Sequence, residues 1–192
     1  MQSVLIVSSG DKYTAYFIDM LIASSDYSAE QIITVQTCTD ARRLMLERDF
    51  DLVIINAPLK DESGERLSRH ITDKGLSQVM LVVAGEYYDA VSAACEDYGV
   101  ITIAKPINPS IFNASLKIAR AIQNRLLRMQ TENNKLKQKI EDIRIVDLAK
   151  YTLISYLKMN EQEAHRYIEK QAMDLRTTRR KIAERILKTY GH

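Results

Sequence analysis

Residues 51–56 read DLVIIN, four consecutive apolar residues between two polar ones. A short, continuous apolar run is typical of a strand that is covered on both faces. Four further runs share this pattern: Val4–Val7, Ile32–Val35, Met80–Val83 and Ile101–Ala104. Helical spacing of apolar residues fills the gaps, at 13–22, 41–47, 65–71 and 88–96. The alternation predicts an α/β fold with a doubly wound, five-stranded parallel sheet, whose sites lie at the carboxyl ends of the strands.

The composition excludes several classes of protein. The chain has 192 residues, of which 46% are hydrophobic and 27% charged, enough for one ordinary domain or two small ones. Its apolar runs are far shorter than the ~20 residues of a membrane helix, and its start carries no basic region or cleavage site. We therefore expect a cytoplasmic protein without a membrane partner. Cys38 and Cys95 lie in segments patterned like a strand and a helix, which favours buried reduced thiols.

No enzyme motif is present. The first strand-to-helix turn has a single glycine, Gly10, so it is not a phosphate-cradling loop, and neither cysteine has a nearby His or second Cys at motif spacing. The lone His70 falls on a predicted helix and is interpreted as a surface or cap residue rather than a general base. We expect no catalytic residue, no metal and no cofactor.

Charge is distributed unevenly along the chain. Residues 1–106 carry nine Lys/Arg against sixteen Asp/Glu, residues 107–148 eight against four, and residues 149–192 ten against five. A basic C-terminal part indicates contact with a polyanion, nucleic acid before membrane. The alternative is a chance imbalance on solvated helices.

A long helix is predicted after Asn108-Pro109, with Asn as the N-cap and Pro at the first helical position. No Pro or Gly follows until beyond Ser155. Its apolar residues form a heptad repeat with Ile122, Met129, Leu136 and Ile143 at d and Leu126, Asn133 and Ile140 at a. A single Asn at a favours a parallel two-stranded coil, so we expect residues 121–145 to form a homodimer. The alternative is an amphipathic helix packed on its own chain.

The last part of the chain, 146–192, is patterned as a small helical bundle. Asn160 and Glu163 form a capping box that begins a second helix. Thr177 or Thr178 is expected to cap a third. The inward positions are predicted to be Ala164, Ile168, Ala172 and Leu175 in the second helix, and Ile182, Ala183, Ile186 and Leu187 in the third.

Residues 1–120 resemble the receiver domain of response regulators. The resemblance rests on the strand order, on Lys105-Pro106 after the fifth strand and on Gly64 after the third. It implies an acidic pair that binds Mg²⁺, an Asp that accepts the phosphoryl group, and a hydroxyl and a Lys that bind its oxygens. The corresponding positions here hold Ser8, Ser9, Asn56, Val83 and Lys105, which we call the degenerate phosphorylation pocket.

These substitutions remove the expected chemistry. Mg²⁺ prefers carboxylate oxygens, and the amide of Asn56 cannot act as a carboxylate nucleophile. Thr102 also stands where the family has its aromatic switch residue. We interpret this part as a pseudo-receiver that is read by a regulatory protein, a small molecule or dimer contacts. The alternative is phosphorylation at a non-standard site; Asp11 and Asp61 are interpreted as solvated loop acids rather than a displaced metal site.

Residues 146–188 resemble an ANTAR domain. The pairs Ala149-Lys150, Glu163-Ala164, Ala172-Met173 and Ile182-Ala183 stand at the family's spacing, whereas Arg179 falls where the family often has an apolar residue. ANTAR domains are three-helix RNA-binding modules of transcription antiterminators. The order receiver, coiled coil, ANTAR is similar to that of the amidase-operon antiterminators, whose receiver is not phosphorylated. It implies a dimer that binds tandem stem-loops in nascent leader RNA and blocks terminator formation.

The basic residues of this segment are the RNA-binding candidates: Lys150, Arg166, Lys170, Arg176, Arg179, Arg180 and Lys181. Unstacked RNA bases suit Arg planes and tyrosine rings, so Tyr151, Tyr156 and Tyr167 are candidates for stacking, with core packing favoured for Tyr167. A DNA-binding helix-turn-helix is the rival, because three short helices and a basic third helix serve there too. The glycine-containing turn usual in that motif is absent between residues 173 and 179.

Overall fold

A computed structural model describes residues 3–24 and 27–190, without the side chain of Lys74. The chain divides into two compact units, Met1–Arg128 and Met129–His192, here called the N-terminal and C-terminal units. Their boundary falls inside the segment 121–145 that is predicted to form a coiled coil. Within the described residues, none of the helices combines the length and apolar character needed to cross a bilayer.

The N-terminal unit contains a five-stranded parallel sheet in the order β2-β1-β3-β4-β5, which confirms the predicted fold. The strands are β1 Val4–Ser8, β2 Ile32–Val35, β3 Leu52–Asn56, β4 Gln78–Ala84 and β5 Ile101–Lys105. Every residue of β1 and β3 is buried, as expected for central strands that helices cover on both faces. The register places Ser8 beside Asn56 and Ala84 beside Lys105, at the carboxyl edge.

The described residues form seven α-helices. They are α1 Asp11–Ala23, α2 Cys38–Glu47, α3 Glu65–Lys74, α4 Tyr88–Cys95, α5 Pro109–Leu157, α6 Glu161–Asp174 and α7 Arg179–Tyr190. Cys38 was predicted in a strand, and this was wrong: the side chain of Thr37 accepts a hydrogen bond from the amide of Asp40 and begins α2 there. Cys38 and Cys95 are both buried.

Alternate strand residues face two separate apolar layers. Leu5, Val53 and Leu81 point into one layer, with residues from α2, α3 and α4. Val4, Ile6, Leu52, Ile54, Met80 and Val82 point into the other, together with Phe17 of α1 and Phe112, Leu116 and Ala119 of α5. The rings of Phe17 and Phe112 stack with their centroids 5.7 Å apart. The first turns of α5 are therefore part of the core of the N-terminal unit.

A buried polar contact also holds α5. The side chain of Gln123, 4% exposed, donates from Nε2 to Oδ1 of Asp51 at 2.8 Å. The other oxygen of Asp51 accepts from the amide of Ser3 at 2.7 Å. Asp51 thus links α5 to the amino ends of β1 and β3.

The C-terminal unit is a three-helix bundle. Its core is built from small and branched residues: Ala149 and Leu153 of α5, Ala164, Ile168 and Ala172 of α6, and Ile182, Ala183 and Ile186 of α7. Three of these alanines, Ala149, Ala164 and Ala183, are fully buried, which lets the helices approach closely. Leu175 was predicted to face inward, and this was wrong, since it is 51% exposed.

Both predicted helix starts in this unit are observed. The capping box is formed, with Glu163 donating its amide to Asn160 Oδ1 at 2.9 Å and its carboxylate accepting the amide of Asn160 at 2.8 Å. Thr178 caps α7, because its hydroxyl accepts the amide of Lys181 at 3.3 Å. The sequence left Thr177 and Thr178 as alternatives, and the structure selects the second.

Candidate functional site

The degenerate phosphorylation pocket lies at the carboxyl edge of the sheet. Asn56 Nδ2 donates to Ser8 Oγ at 3.0 Å, and the hydroxyl of Ser8 lies 3.3 Å from the carbonyl of Gly10. Ser8 and Asn56 are 3% and 5% exposed, and Ser9 is partly exposed. Asn56 Oδ1 is buried without a hydrogen-bond partner among the described residues. Ser8 and Asn56, two of the residues predicted to form this pocket, are thus bonded to each other.

Lys105 has no carboxylate to neutralise it among the residues described. Its Nζ donates to the carbonyl of Ala57 at 2.6 Å and lies 4.9 Å from the centroid of the Tyr13 ring. Burial lowers the pKa of this amine. Val83 packs in the apolar core, and the next residue is Ala84, so the pocket has no hydroxyl there. The hydroxyl of Thr102 is buried and has no described hydrogen-bond partner.

Asp61 is an exposed loop acid, as expected, and it also caps a helix. Its carboxylate accepts the amides of Cys38 and Thr39, each at 3.0 Å, at the start of α2. Burial opposes ionisation of Asp61, but these hydrogen bonds outweigh it and lower its pKa. Burial first, and then the charges of Asp61 and Glu62, raise the pKa of Cys38 to about 12. In the described parts of the chain, no group of three or more His, Cys, Asp or Glu side chains is placed to hold a metal ion.

The RNA-binding candidates of the C-terminal unit fall into two groups, and the first group is ion-paired. The pairs are Lys150 Nζ with Asp147 at 2.7 Å and Glu161 at 3.4 Å, Arg179 with Glu169 at 3.1 Å, and Arg180 with Asp142 at 2.7 Å and Glu184 at 2.8 Å. A hydrogen bond from Arg180, supported by one from Gln138, lowers the pKa of Asp142. The bond with Asp147 raises the pKa of Lys150. These cations join helices of the bundle to one another.

The paired group lines a cleft of about 540 Å³ where α5, α6 and the start of α7 meet. Its wall contains Asp142, Ile143, Val146, Asp147, Lys150, His165, Thr177, Thr178, Arg179 and Arg180. Acidic and basic side chains alternate there within ion-pair distance. The cleft therefore presents both acidic and basic side chains, and is not a purely basic site for an anion.

The second group is exposed and carries no ion pair with any described residue. Its members are Arg166, Lys170, Arg176 and Lys181. Arg166 and Lys170 are four residues apart on α6, on the face opposite the buried Ala164 and Ile168. Arg176 follows α6 with a φ of 48°, which ends the helix before α7 begins. These four cations are available to an external anion.

Sequence reasoning missed two basic residues of α7, Arg185 and Lys188. Both are exposed, and they lie four and seven residues after Lys181. Helical periodicity places all three on one face, opposite the buried Ile182 and Ile186. The spacing of Lys181, Arg185 and Lys188 by four and three residues is visible in the sequence and indicates a shared helical face.

The candidate tyrosines are exposed to different degrees. Tyr151 is 68% and Tyr156 60% exposed, and the ring of Tyr156 lies 6.0 Å from that of Tyr190. Tyr167 was expected to pack in the core, and this was wrong: it is 39% exposed and lies outside the core cluster.

The heptad positions of α5 remain uncovered in the single chain. The exposed fractions are 36% for Ile122, 54% for Met129, 60% for Leu136, 66% for Ile140 and 61% for Ile143; Asn133 is exposed and Leu126 partly buried. In the residues that the structure describes, five apolar residues among these seven heptad positions are thus at least 36% exposed.

Known proteins resemble both units of the chain. Residues 134–187 match the family model described as ANTAR domain. The chain is 26% identical over 141 residues to the transcriptional regulatory protein PdtaR of Mycobacterium tuberculosis (strain CDC 1551 / Oshkosh), covering 73% of this chain and 69% of that protein.

Solved receiver domains resemble the N-terminal unit. A signal receiver domain of an HD domain-containing protein from Pseudomonas fluorescens Pf-5 aligns with a TM-score of 0.57 and 21% identity, over 66% of this chain and 92% of that one. A CheY-like receiver domain from Methylobacillus flagellatus aligns with a TM-score of 0.51 and 26% identity, over 62% and 98% of the two chains.

Together, the sheet, the three-helix bundle and these matches support a response regulator of the ANTAR type: the N-terminal unit has the fold of a receiver domain, and residues 134–187 match an ANTAR domain. At the level of the family, the ANTAR match and the relative PdtaR support an RNA-binding response regulator of the antiterminator type.

The two groups of cations predict different effects of neighbouring substitutions. Arg180→Ala removes the partner of Asp142 and Glu184, whereas Lys181→Ala removes an exposed, unpaired charge. We expect Arg180→Ala to lower the Tm of the C-terminal unit and to accelerate hydrogen–deuterium exchange in α7 at pH 7. Lys181→Ala, the matched control, should change neither. Equal exchange in the wild type and Arg180→Ala would contradict the structural role of Arg180.

The ion pair between Arg180 and Asp142 predicts that the stability of the C-terminal unit depends on pH. Because Arg180 and then Gln138 hold the pKa of folded Asp142 below 3.8, the pair stabilises the folded state fully above that pH. Its contribution is lost as the pH falls through the lowered pKa. The difference in Tm between the wild type and Arg180→Ala should therefore be largest near neutrality and disappear in strong acid.

Proposed function

We propose that the chain is a homodimeric transcription antiterminator that acts in the cytoplasm, binds tandem stem-loops in nascent leader RNA and so prevents a terminator hairpin from forming. One observation carries the proposal. The ANTAR domain exposes unpaired cations, and the helix that enters it exposes an apolar heptad face. A dimer through that face would hold two RNA-binding modules together, and the second hairpin would then bind at a high effective concentration.

The receiver domain in this proposal is a pseudo-receiver that is not phosphorylated. Asn56 offers an amide that is already bonded to Ser8, and Ser8 and Ser9 offer no carboxylate for Mg²⁺. Lys105 is retained, but it is bonded to the carbonyl of Ala57 instead of a phosphoryl oxygen. Control then passes through dimer contacts, or through a regulatory protein or small molecule at the receiver domain.

Treatment with acetyl phosphate and Mg²⁺ tests the pseudo-receiver. We expect intact-mass spectrometry to show no phosphoryl group on the wild type, because no carboxylate nucleophile stands at the end of β3. Asn56→Asp restores the nucleophile without the Mg²⁺ ligands, and we expect it to remain unmodified as well. A Mg²⁺-dependent acyl phosphate on any aspartate of the wild type would support phosphorylation at a non-standard site instead.

The dimer is argued from the apolar residues of α5. Five of the seven heptad residues are aliphatic or Met and are at least 36% exposed in the single chain, with Asn133 at one central a position. Burial of an apolar side chain contributes roughly 1.5–3 kcal/mol, so several such residues on each helix give a substantial driving force for association. A buried pair of asparagines would fix the register of two parallel helices.

Leu136→Glu places a charge at a d position and is expected to convert the dimer to a monomer. Since Leu136 is 60% exposed in the single chain, the folded monomer should tolerate the substitution. Asn134→Glu adds the same charge at the outward b position and should leave the dimer intact. Sedimentation equilibrium at micromolar protein distinguishes the two variants. A monomeric wild type, or a dimeric Leu136→Glu, would refute this interface.

The ANTAR family and the exposed surface of the C-terminal unit both favour RNA over DNA as the ligand. The exposed cations Arg166, Lys170, Arg176 and Lys181 can attract phosphates, and Tyr151, at 68% exposure, offers a ring on which an unstacked base can stack. The ion-paired residues Lys150, Arg179 and Arg180 would contribute to RNA binding only by exchanging their carboxylate partners for phosphates.

Binding to four nucleic acids at fixed salt tests this function: a tandem-hairpin leader RNA, a single hairpin, a scrambled RNA and duplex DNA. We expect the tandem RNA to bind most tightly, by about 10²-fold or more over the single hairpin. Leu136→Glu should bind the single hairpin as the wild type does and lose the tandem advantage. A preference for duplex DNA would favour a DNA-binding regulator, and equal binding to all four would remove the antiterminator proposal.

A further inference from the structure

The outer face of α7 carries a stripe of three cations, Lys181, Arg185 and Lys188, which we call the basic stripe. They are spaced four and three residues apart on a helix that rises 1.5 Å per residue, so they extend over roughly 10 Å along one side. All three are exposed, and none forms an ion pair within residues 3–24 and 27–190. The stripe is thus an exposed row of positive charge.

The bundle itself does not use this row. Ile182, Ala183 and Ile186 on the opposite side of α7 fill the core, so the stripe faces away from α5 and α6. Lys188 lies in the last turn of α7, where a cation is also favoured by the helix dipole. That effect falls off within one turn, so it does not account for Lys181 or Arg185.

The stripe differs from the paired cations in its response to an anion. Arg180 already has the carboxylates of Asp142 and Glu184 as counter-charges, and Arg179 has Glu169. A phosphate at those residues would have to displace a carboxylate. At the stripe it would displace only diffuse salt ions, which is the process that drives binding to nucleic acids.

The composition of the face argues for a nucleic-acid backbone rather than a lipid surface. A membrane-binding helix needs an exposed apolar face beside its cations. In α7, Ile182 and Ile186 are buried in the bundle, and Leu187 and Tyr190 are partly buried against its core. A row of flexible cations without aromatic neighbours suits contacts to phosphate oxygens, which position a partner without reading its bases.

We propose that the basic stripe contacts successive phosphates along one strand of the RNA stem. This inference rests on the proposed function and assigns Arg185 and Lys188, with Lys181, to sequence-independent anchoring of the stem. Recognition of the loop bases is left to other parts of the domain.

The salt dependence of RNA binding tests the stripe directly. The probe is the tandem-hairpin RNA, and the variant is Lys181→Gln/Arg185→Gln/Lys188→Gln in the full chain. Each phosphate contact contributes roughly 0.7–0.9 to the slope of log K against log salt, so we expect the slope to fall by about two. The affinity should fall on the order of 100-fold at 0.1 M salt and converge with that of the wild type near 1 M.

Two matched variants complete the design. Lys12→Gln/Lys60→Gln/Lys117→Gln removes the same net charge from exposed lysines of the N-terminal unit and should leave the slope unchanged. Lys181→Arg/Lys188→Arg keeps the charge of the stripe and should keep both slope and affinity. Circular dichroism of each variant should match the wild type, because the substituted side chains are exposed.

The outcomes distinguish failure of the role proposed for the basic stripe from failure of the proposed antiterminator function. If the wild type prefers hairpin RNA and the triple stripe variant keeps its slope, the stripe is overturned while the antiterminator proposal stands. If the triple lysine variant of the N-terminal unit lowers the salt slope equally, the net charge of the protein rather than the position of the cations determines the slope. The role proposed for the basic stripe is then refuted as well. If the wild type shows no preference for hairpin RNA, both proposals fail.

Discussion

Burial of apolar residues along α5 is the constraint on which the rest of the structure depends. Phe112, Leu116 and Ala119 near the start of this helix belong to the core of the N-terminal unit, whereas Ala149 and Leu153 near its end belong to the core of the bundle. Between them, the helix has no hydrophobic core of its own to join. The exposed heptad face is the consequence, and it is the physical reason to expect a second copy.

The N-terminal unit has the architecture of a receiver domain, with amide and hydroxyl side chains at the carboxyl edge of its sheet. The parallel sheet depends on continuous apolar strands, and these are intact. At the carboxyl edge of the sheet, Asn56 donates one hydrogen bond to Ser8, and Lys105 donates to a backbone carbonyl. Such a domain can still present surfaces to a partner, because the fold does not require the reactive groups.

Much of the fold follows from local pattern, and the exceptions have identifiable causes. The five strands and the capping box at Asn160 were predicted because apolar runs and caps act within a few residues. Cys38 was misplaced because a cap at Thr37 converts a strand-like segment into the start of α2. The capping contact of Asp61 was not predicted because its partners, Cys38 and Thr39, are more than twenty residues away in sequence.

The sequence by itself determined the order of elements, the presence of Asn56 rather than an aspartate at the end of β3, and the family resemblance of each half, since these depend on which residues are present and how they are spaced. Only the tertiary structure decided which cations are free. Arg180 and Lys181 are neighbours of like charge, yet one is paired with Asp142, 38 residues away, and the other is exposed. Pairing depends on which helices pack together, because a salt bridge requires its two groups to lie within a few ångströms of each other.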